Sequence, residues 1–113
     1  QHIKKNIIFD NNNDYKDFLS ITKFCEIVKK LIKNNANGIY NVSVGKKIYL
    51  NDLIEWLNIF NKNKYTIYKK PKKVITDSFF LNNYKLMKKI NINNGIPQLK
   101  NDCKMISKLY FSV

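Results

Sequence analysis

The most informative part of this chain reads GIYNVSVG over residues 38–45 and continues as KKIYLNDLIEWL over residues 46–57. The first run is apolar on both faces apart from Asn41 and Ser43, which predicts an inner strand of a sheet over residues 39–44. A tight turn follows, and the second run predicts a short apolar segment that leads into an amphipathic helix. This order of strand, turn and helix indicates an α/β fold.

The remainder of the chain continues the alternation, and the predicted order is β-(β)-α-β-α-β-α-α. Strands or extended pieces are predicted at residues 7–9, 15–19, 65–68 and 74–75. With 113 residues and a hydrophobic fraction of 44%, the chain is expected to form one domain, residues 1–113.

Four helices are predicted from N-cap residues and helical spacing of apolar side chains. The first follows Ser20 or Thr22, the second follows Asn51 or Asp52, and the third follows Asn82 or Asn83. The first helix has an apolar face of Phe24, Ile27, Val28, Leu31 and Ile32, opposite Lys23, Lys29, Lys30 and Lys33. The last and weakest helix carries Leu99, Cys103, Ile106 and Tyr110.

The net charge of +13 suggests a polyanionic partner, but the type of basic residue that supplies the charge argues against one. All the strongly basic residues are lysines, whereas arginine is preferred for bidentate contacts with phosphate and guanine. We therefore ascribe the charge to a coding bias toward Lys, Asn and Ile, and we do not expect nucleic acid as the partner. No apolar run reaches 18 residues, so no membrane-spanning helix is predicted.

The two cysteines, Cys25 and Cys103, are far apart, and the single His2 is terminal. This spacing does not predict a metal site. Cys25 falls on the apolar face of the first helix, where a buried free thiol is expected. Free thiols suit a reducing compartment, so a cytoplasmic location is predicted.

Four segments, in this order, resemble the extended short-chain dehydrogenase/reductase family, the NAD(P)-dependent epimerases, dehydratases and reductases of nucleotide-activated sugars. KDFLSI at residues 16–21 is similar to the family's R-D-F-[IL]-x-V strand, and residues 38–45 are similar to its G-I-Y-N-V-G-S-G turn. LNDL at residues 50–53 is similar to the helix start that follows, and FLNNYKL at residues 80–86 resembles x-L-D-N-S-K-L. Gly95-Ile96-Pro97 completes the pattern loosely.

The resemblance implies that this chain is the C-terminal, substrate-side portion of an extended Rossmann-type enzyme. The chain starts at Gln1 with no initiator Met, and the NAD(P)-binding Rossmann half is expected upstream of it. The implied partners are that half and a nucleotide-sugar substrate. Members of the family often dimerise, so a homodimer is a further implied possibility. This chain should then expose an apolar surface where the missing half packs.

The resemblance also implies substrate-binding residues. The family's R-D-F arginine reaches the nucleotide diphosphate, and its counterpart is Lys16, which offers a point charge without a bidentate fork. A second family arginine has no counterpart, because Val74 or Ile75 stands near its place, and Lys72 or Lys73 could substitute. Structural roles are expected for Asn41, Gly45 and Asn82. Asn41 orders the strand end or is merely tolerated, and Asn82 replaces the family's aspartate as a helix cap.

This chain alone is expected to be catalytically silent, with no catalytic residue and no cofactor of its own. Its three glycines, Gly38, Gly45 and Gly95, cannot form the glycine-rich dinucleotide turn. Tyr-x-x-x-Lys occurs three times, at Tyr65/Lys69, Tyr68/Lys72 and Tyr84/Lys88, and we interpret all three as coincidences in a chain rich in both residues. Carboxylate pairs such as Asp14/Asp17 are interpreted as turn and cap residues.

A small Lys-rich nucleic-acid-binding domain is the alternative hypothesis. In that hypothesis the lysine clusters contact phosphates, and bases stack on aromatic side chains. The aromatic candidates are Phe18, Tyr40, Tyr65 and Tyr68.

Overall fold

The strands and helices occur along the chain in the predicted order, and the described part of the chain contains two small sheets and four helices. The structure is a computed structural model, and it describes residues 5–11, 14–62, 65–71 and 78–111. The elements are β1 (Lys5–Asn11), β2 (Tyr15–Lys16), α1 (Ile21–Lys33), β3 (Ile48–Tyr49), α2 (Leu50–Phe60), β4 (Tyr65–Pro71), α3 (Tyr84–Lys89) and α4 (Ile96–Phe111). The fold is therefore mixed α/β, as predicted.

The two sheets differ in direction. β1 and β4 pair in parallel, with Lys5 opposite Tyr65 and Asn11 opposite Pro71, which confirms the strands predicted at residues 7–9 and 65–68. Parallel pairing requires a long crossover, and α1, β3 and α2 provide it. β2 and β3 form a short antiparallel pair, with Tyr15 opposite Tyr49 and their rings in an edge-to-face contact. The extended piece predicted at residues 74–75 lies outside the described residues.

The prediction of an inner strand at residues 39–44 was wrong. The structure has no sheet hydrogen bonds there, and the third strand is β3, a few residues later. The physical reason is that backbone groups at residues 39, 43 and 44 bind side chains from distant segments, and no neighbouring strand is aligned with them in the described residues. An apolar pattern predicts an extended chain, but a strand also requires a partner.

Helix α1 begins where its cap predicts it. The Ser20 side chain accepts a hydrogen bond from the Lys23 backbone N–H at 3.1 Å, and Ser20 Oγ donates to Asp102 Oδ2 of α4 at 2.8 Å. The assignment of faces was partly wrong. Ile27 is fully buried as expected, but Phe24 and Ile32 are exposed, and Lys23 is buried and paired with Glu26 at 3.0 Å.

The other helices follow their predicted positions with one shifted start. α2 begins at Leu50 with Tyr49 as its N-cap, so the cap predicted at Asn51 or Asp52 was two to three residues late. α3 follows Asn83, one of the two predicted caps. α4 packs against α2, and the Ser107 hydroxyl donates to the Leu57 carbonyl at 3.3 Å. None of the described helices has the length and apolar character needed to cross a membrane.

Two small hydrophobic clusters hold these elements together. The first, cluster A, contains Ile27, Leu86, Ile90 and Ile92, with Leu19, Leu31, Tyr40 and Val42 packed against it. The second, cluster B, contains Val44, Ile48 and Leu99, with Phe18, Leu19, Trp56 and Ile96 around it. Leu19 packs against both clusters. Residues 40–44 also join them, because Tyr40 and Val42 pack on cluster A and Val44 is part of cluster B.

The cysteines occupy opposite environments, and the prediction of a buried Cys25 was wrong. Cys25 is exposed, because it lies on a part of the α1 apolar face that the described residues leave uncovered. Cys103 is buried against cluster B, and burial, with the Asp102 carboxylate adding to it, raises the pKa of the Cys103 thiol.

We expect a maleimide reagent at pH 8 to label Cys25 at least about tenfold faster than Cys103, because only accessible thiolate reacts. Mass spectrometry of tryptic peptides after timed labelling measures both rates. Cys103 should become reactive only when the chain is unfolded in urea. Equal labelling rates in the native chain would contradict the packing of α4 described above.

Candidate functional site

The Asp17 carboxylate, directly after β2, joins three separate segments of the chain. Asp17 Oδ1 accepts the Val44 backbone N–H at 2.9 Å, and Asp17 Oδ2 accepts the Gly45 N–H at 2.9 Å. The same Oδ2 also accepts the Leu81 N–H at 3.2 Å. One half-buried carboxylate thus satisfies three backbone donors, and such charge-assisted bonds are stronger than those between neutral groups. We call this arrangement the Asp17 junction.

Gly45 is a necessary part of the Asp17 junction. Its φ is +74°, a left-handed conformation that residues with a side chain rarely adopt. A Cβ at this position would lie 2.5 Å from Asn83 Oδ1. The Asn83 amide is held in that place by donating to the Ser43 carbonyl at 2.9 Å, and the Asn94 amide donates to the same carbonyl at 2.7 Å.

Asn41 and Asn82 connect the same two segments. The Asn41 amide donates to the Asn82 carbonyl at 2.8 Å, across a separation of 41 residues. The Asn82 side chain in turn accepts the Tyr84 N–H at 2.9 Å at the start of α3. These contacts are consistent with the structural roles expected for Asn41 and Asn82.

Lys16 lies beside the segment that begins at residue 78. Its ammonium group is 4.6 Å from the centre of the Phe79 ring, a cation–π distance. The Tyr15 N–H donates to Ser78 Oγ at 3.3 Å and keeps β2 next to this segment. Lys72 and Lys73 lie outside the described residues, so the structure does not place them relative to Lys16.

A second lysine and two aromatic rings lie around Tyr15, the neighbour of Lys16 in β2, and were not singled out in the sequence. The Lys47 ammonium lies 5.0 Å from the Tyr15 ring centre, and the Tyr15 and Phe80 rings are 6.4 Å apart. Phe79 and Phe80 are both exposed. The antiparallel pairing of β2 with β3 brings Lys47 to this surface, and sequence spacing gives no sign of that pairing.

The turn at Val44 and Gly45 has no free backbone donors. The backbone N–H groups of both residues are occupied by the Asp17 carboxylate, so they are not available to bind a phosphate group. Among the described residues, no group of three or more His, Cys, Asp or Glu could hold a metal ion. In the candidate Tyr84/Lys88 pair, the lysine ammonium lies 4.8 Å from the centre of the Tyr84 ring.

Two aromatic residues of the nucleic-acid hypothesis are engaged within the fold. Phe18 packs against cluster B, and Tyr40 packs against cluster A with the Lys85 ammonium 4.4 Å from its ring centre. The Tyr65 side chain is half-buried, and that of Tyr68 is outside the described side chains.

Comparison of the chain with protein-family models, with curated proteins and with solved structures gives no significant match.

Proposed function

We propose that this chain is the substrate-side C-terminal region of an NAD(P)-dependent nucleotide-sugar epimerase, dehydratase or reductase. A Rossmann half on another part of the enzyme binds NAD(P) and carries the catalytic Tyr and Lys. This chain contributes a wall of the sugar-nucleotide pocket and is inactive alone. The free thiol on its surface suits a cytoplasmic enzyme.

The observation that carries the proposal is the Asp17 junction. Its three hydrogen bonds join the segment at residues 16–21, the turn at residues 38–45 and the segment at residues 80–86. These are three of the four segments that resemble the enzyme family. Since the bonded residues are 27 to 64 residues apart in the chain, their meeting at one carboxylate supports a common origin for the pattern.

The exposed surface of the chain also supports a larger enzyme. Fourteen large hydrophobic side chains among the described residues are exposed, and only eight hydrophobic residues are buried.

In this proposal Lys16 faces the nucleotide diphosphate. Lys16 and Lys47 each place a positive charge at the β2–β3 pair, and Lys16 lies against Phe79 in the segment that follows Lys72 and Lys73 in the chain. Lysines at a pocket rim attract a dianionic diphosphate as point charges. Any homodimer would form through the complete enzyme.

Isothermal titration calorimetry with NAD⁺ and NADH tests whether the dinucleotide binds to the Rossmann half and not to this chain. We expect no measurable heat of binding for the purified chain up to millimolar dinucleotide, because its glycines cannot form the pyrophosphate turn. Saturable micromolar binding to this chain alone would refute the proposal.

A gel-shift titration with single- and double-stranded nucleic acid distinguishes the proposed enzyme region from the alternative, a nucleic-acid-binding domain. Tight binding that weakens steeply between 50 and 200 mM salt, by about 1,000-fold or more, would favour a nucleic-acid-binding domain over an enzyme region. We expect no discrete shifted complex at 150 mM salt, since two of the aromatic candidates are packed within the fold.

A further inference from the structure

The dipeptide Asn-Gly occurs twice in this chain, as Asn37-Gly38 and as Asn94-Gly95. An asparagine followed by glycine is prone to spontaneous deamidation, because glycine has no Cβ that would keep its backbone nitrogen away from the asparagine side chain. The reaction also requires the side-chain amide to be released from other contacts and the peptide group to rotate toward it. The fold therefore determines which of the two asparagines can react.

Asn37 and Gly38 lie just beyond the hydrogen bonds that end α1. Asn35 has a left-handed φ of +51°, and the Ala36 N–H donates to the Leu31 carbonyl at 3.0 Å. Asn37 and Gly38 follow these bonds and are exposed. Neither residue has a hydrogen-bond partner within the described part of the chain, so no contact there holds the Asn37 amide away from the Gly38 nitrogen.

Asn94 and Gly95 are held by the fold. Asn94 is buried, and its side-chain amide donates to the Ser43 carbonyl at 2.7 Å. Gly95 directly precedes α4, and its carbonyl accepts the Leu99 N–H at 3.0 Å in the first turn of that helix. The Gly95 nitrogen can attack the Asn94 side chain only after a local opening that breaks the bond to Ser43.

The Lys85 ammonium favours the reaction at Gly38 electrostatically. It donates to the Ile39 carbonyl at 2.8 Å and lies 3.2 Å from the position that a Cβ on Gly38 would occupy. The reactive form of Gly38 is its deprotonated backbone nitrogen, and a nearby positive charge stabilises a negatively charged group. Exposure, the lack of partners and this charge thus all favour the first of the two asparagines.

We propose that Asn37 is a site of spontaneous deamidation and that the fold protects Asn94 from the same reaction. The Gly38 backbone nitrogen loses its proton to solvent base and forms a bond with Asn37 Cγ. The Cγ–Nδ2 bond breaks, and the released nitrogen takes up a proton and leaves as ammonia. The product is a cyclic succinimide. This inference does not depend on the proposed enzyme class.

Water then opens the succinimide at either of its two carbonyl carbons. Cleavage of the bond between Cγ and the Gly38 nitrogen gives aspartate, and cleavage at the main-chain carbonyl carbon gives isoaspartate. Either product replaces a neutral amide by a carboxylate close to the Lys85 ammonium. That ammonium lies 4.4 Å from the centre of the Tyr40 ring, so the new carboxylate competes with the ring and with the Ile39 carbonyl for it.

Timed incubation of the native chain at mildly alkaline pH, followed by tryptic digestion and tandem mass spectrometry, measures both sites. The tryptic peptides at residues 34–46 and 90–100 contain one Asn-Gly each, and a zero-time sample corrects for reaction during digestion. We expect Asn37 to deamidate at least about tenfold faster than Asn94, because only Asn94 must first be released by a local opening. Equal rates in the native chain, or a faster rate at Asn94, would overturn the proposal.

The same incubation in urea distinguishes the effect of the fold from that of local sequence. In the unfolded chain both asparagines precede glycine and neither is held, so we expect nearly equal rates. If Asn37 still reacted much faster than Asn94 in urea, the difference would belong to the local sequence, and protection of Asn94 by the fold would be refuted.

The variant N37Q identifies the reacting asparagine. The longer side chain of glutamine moves the amide carbon away from the Gly38 nitrogen, so deamidation in the peptide at residues 34–46 should fall to the zero-time level. Continued reaction in that peptide would place it on another asparagine and overturn the proposal.

The melting temperature tests whether the Asn37 side chain is held by other contacts. N37D reproduces the aspartate product, and N37Q keeps a neutral amide. Neither variant should lower the melting temperature, because the Asn37 side chain is exposed. A clear fall in both variants would show that the fold holds this side chain, which would contradict the proposal.

Discussion

Replacement of Asp17 by alanine is expected to lower the free energy of unfolding by about 3 kcal/mol. The variant leaves the N–H groups of Val44, Gly45 and Leu81 without their common acceptor, and water can reach only some of them because the site is half-buried. A domain of this size is stable by about 5–15 kcal/mol, so the loss is a large fraction of the total. Urea unfolding followed by circular dichroism measures it.

Two further variants distinguish the loss of the Asp17 hydrogen bonds from the loss of a negative charge alone. D17N keeps one acceptor oxygen but turns an N–H donor toward another donor, so we expect an intermediate loss of about 2 kcal/mol. D52A removes an exposed carboxylate from the first turn of α2 and should cost only about 0.5 kcal/mol. If D17A were no more destabilising than D52A, the three hydrogen bonds would not hold the segments together.

Replacement of Gly45 by alanine is expected to lower the free energy of unfolding by about 3 kcal/mol. Part of the loss comes from the left-handed φ of +74°, and part from the contact that the new Cβ would make with Asn83, 2.5 Å away. Asn83 can move only by giving up its hydrogen bond to the Ser43 carbonyl. The same unfolding experiment measures the effect.

Gly38 and Asn83 provide the controls for this prediction. Gly38 also has a positive φ, +96°, but its added Cβ would meet only the terminal ammonium of the long Lys85 side chain at 3.2 Å, so G38A should cost about 1 to 2 kcal/mol. In the double variant G45A/N83A the steric contact is gone, and we expect the sum of the single effects to exceed the double effect by about 1 kcal/mol. Strict additivity would show that Asn83 does not confine Gly45.

The helices could be predicted from the sequence because their signals are local. Ser20 lies three residues before the N–H that it caps, and the apolar residues of α1 repeat at helical spacing. The strand predicted at residues 39–44 failed for the opposite reason, since strand formation depends on a neighbour that local sequence does not specify. Cys25 and Ile32 were expected inside because the width of an apolar stripe does not reveal how much of it this chain covers.

The candidate site was only partly accessible to sequence reasoning. The resemblance directed attention to Lys16, and the structure adds that its neighbour Asp17 makes the three bonds that join the matched segments. Asp17 was interpreted as a turn residue, and it does bind backbone N–H groups, but the ones it binds are 27 to 64 residues away. Lys47 could not be found because only the pairing of β2 with β3 brings it near Tyr15.

If this chain is the C-terminal region of a larger nucleotide-sugar enzyme, as we propose, the reading frame upstream of Gln1 should encode the remaining part, and sequencing of that frame shows whether it does. We expect a glycine-rich strand, turn and helix roughly two hundred residues upstream, the length of a Rossmann half with its insertions. We also expect a Tyr-x-x-x-Lys pair between that turn and Gln1. A frame that opens immediately before Gln1, or an upstream region with neither feature, would contradict the proposal.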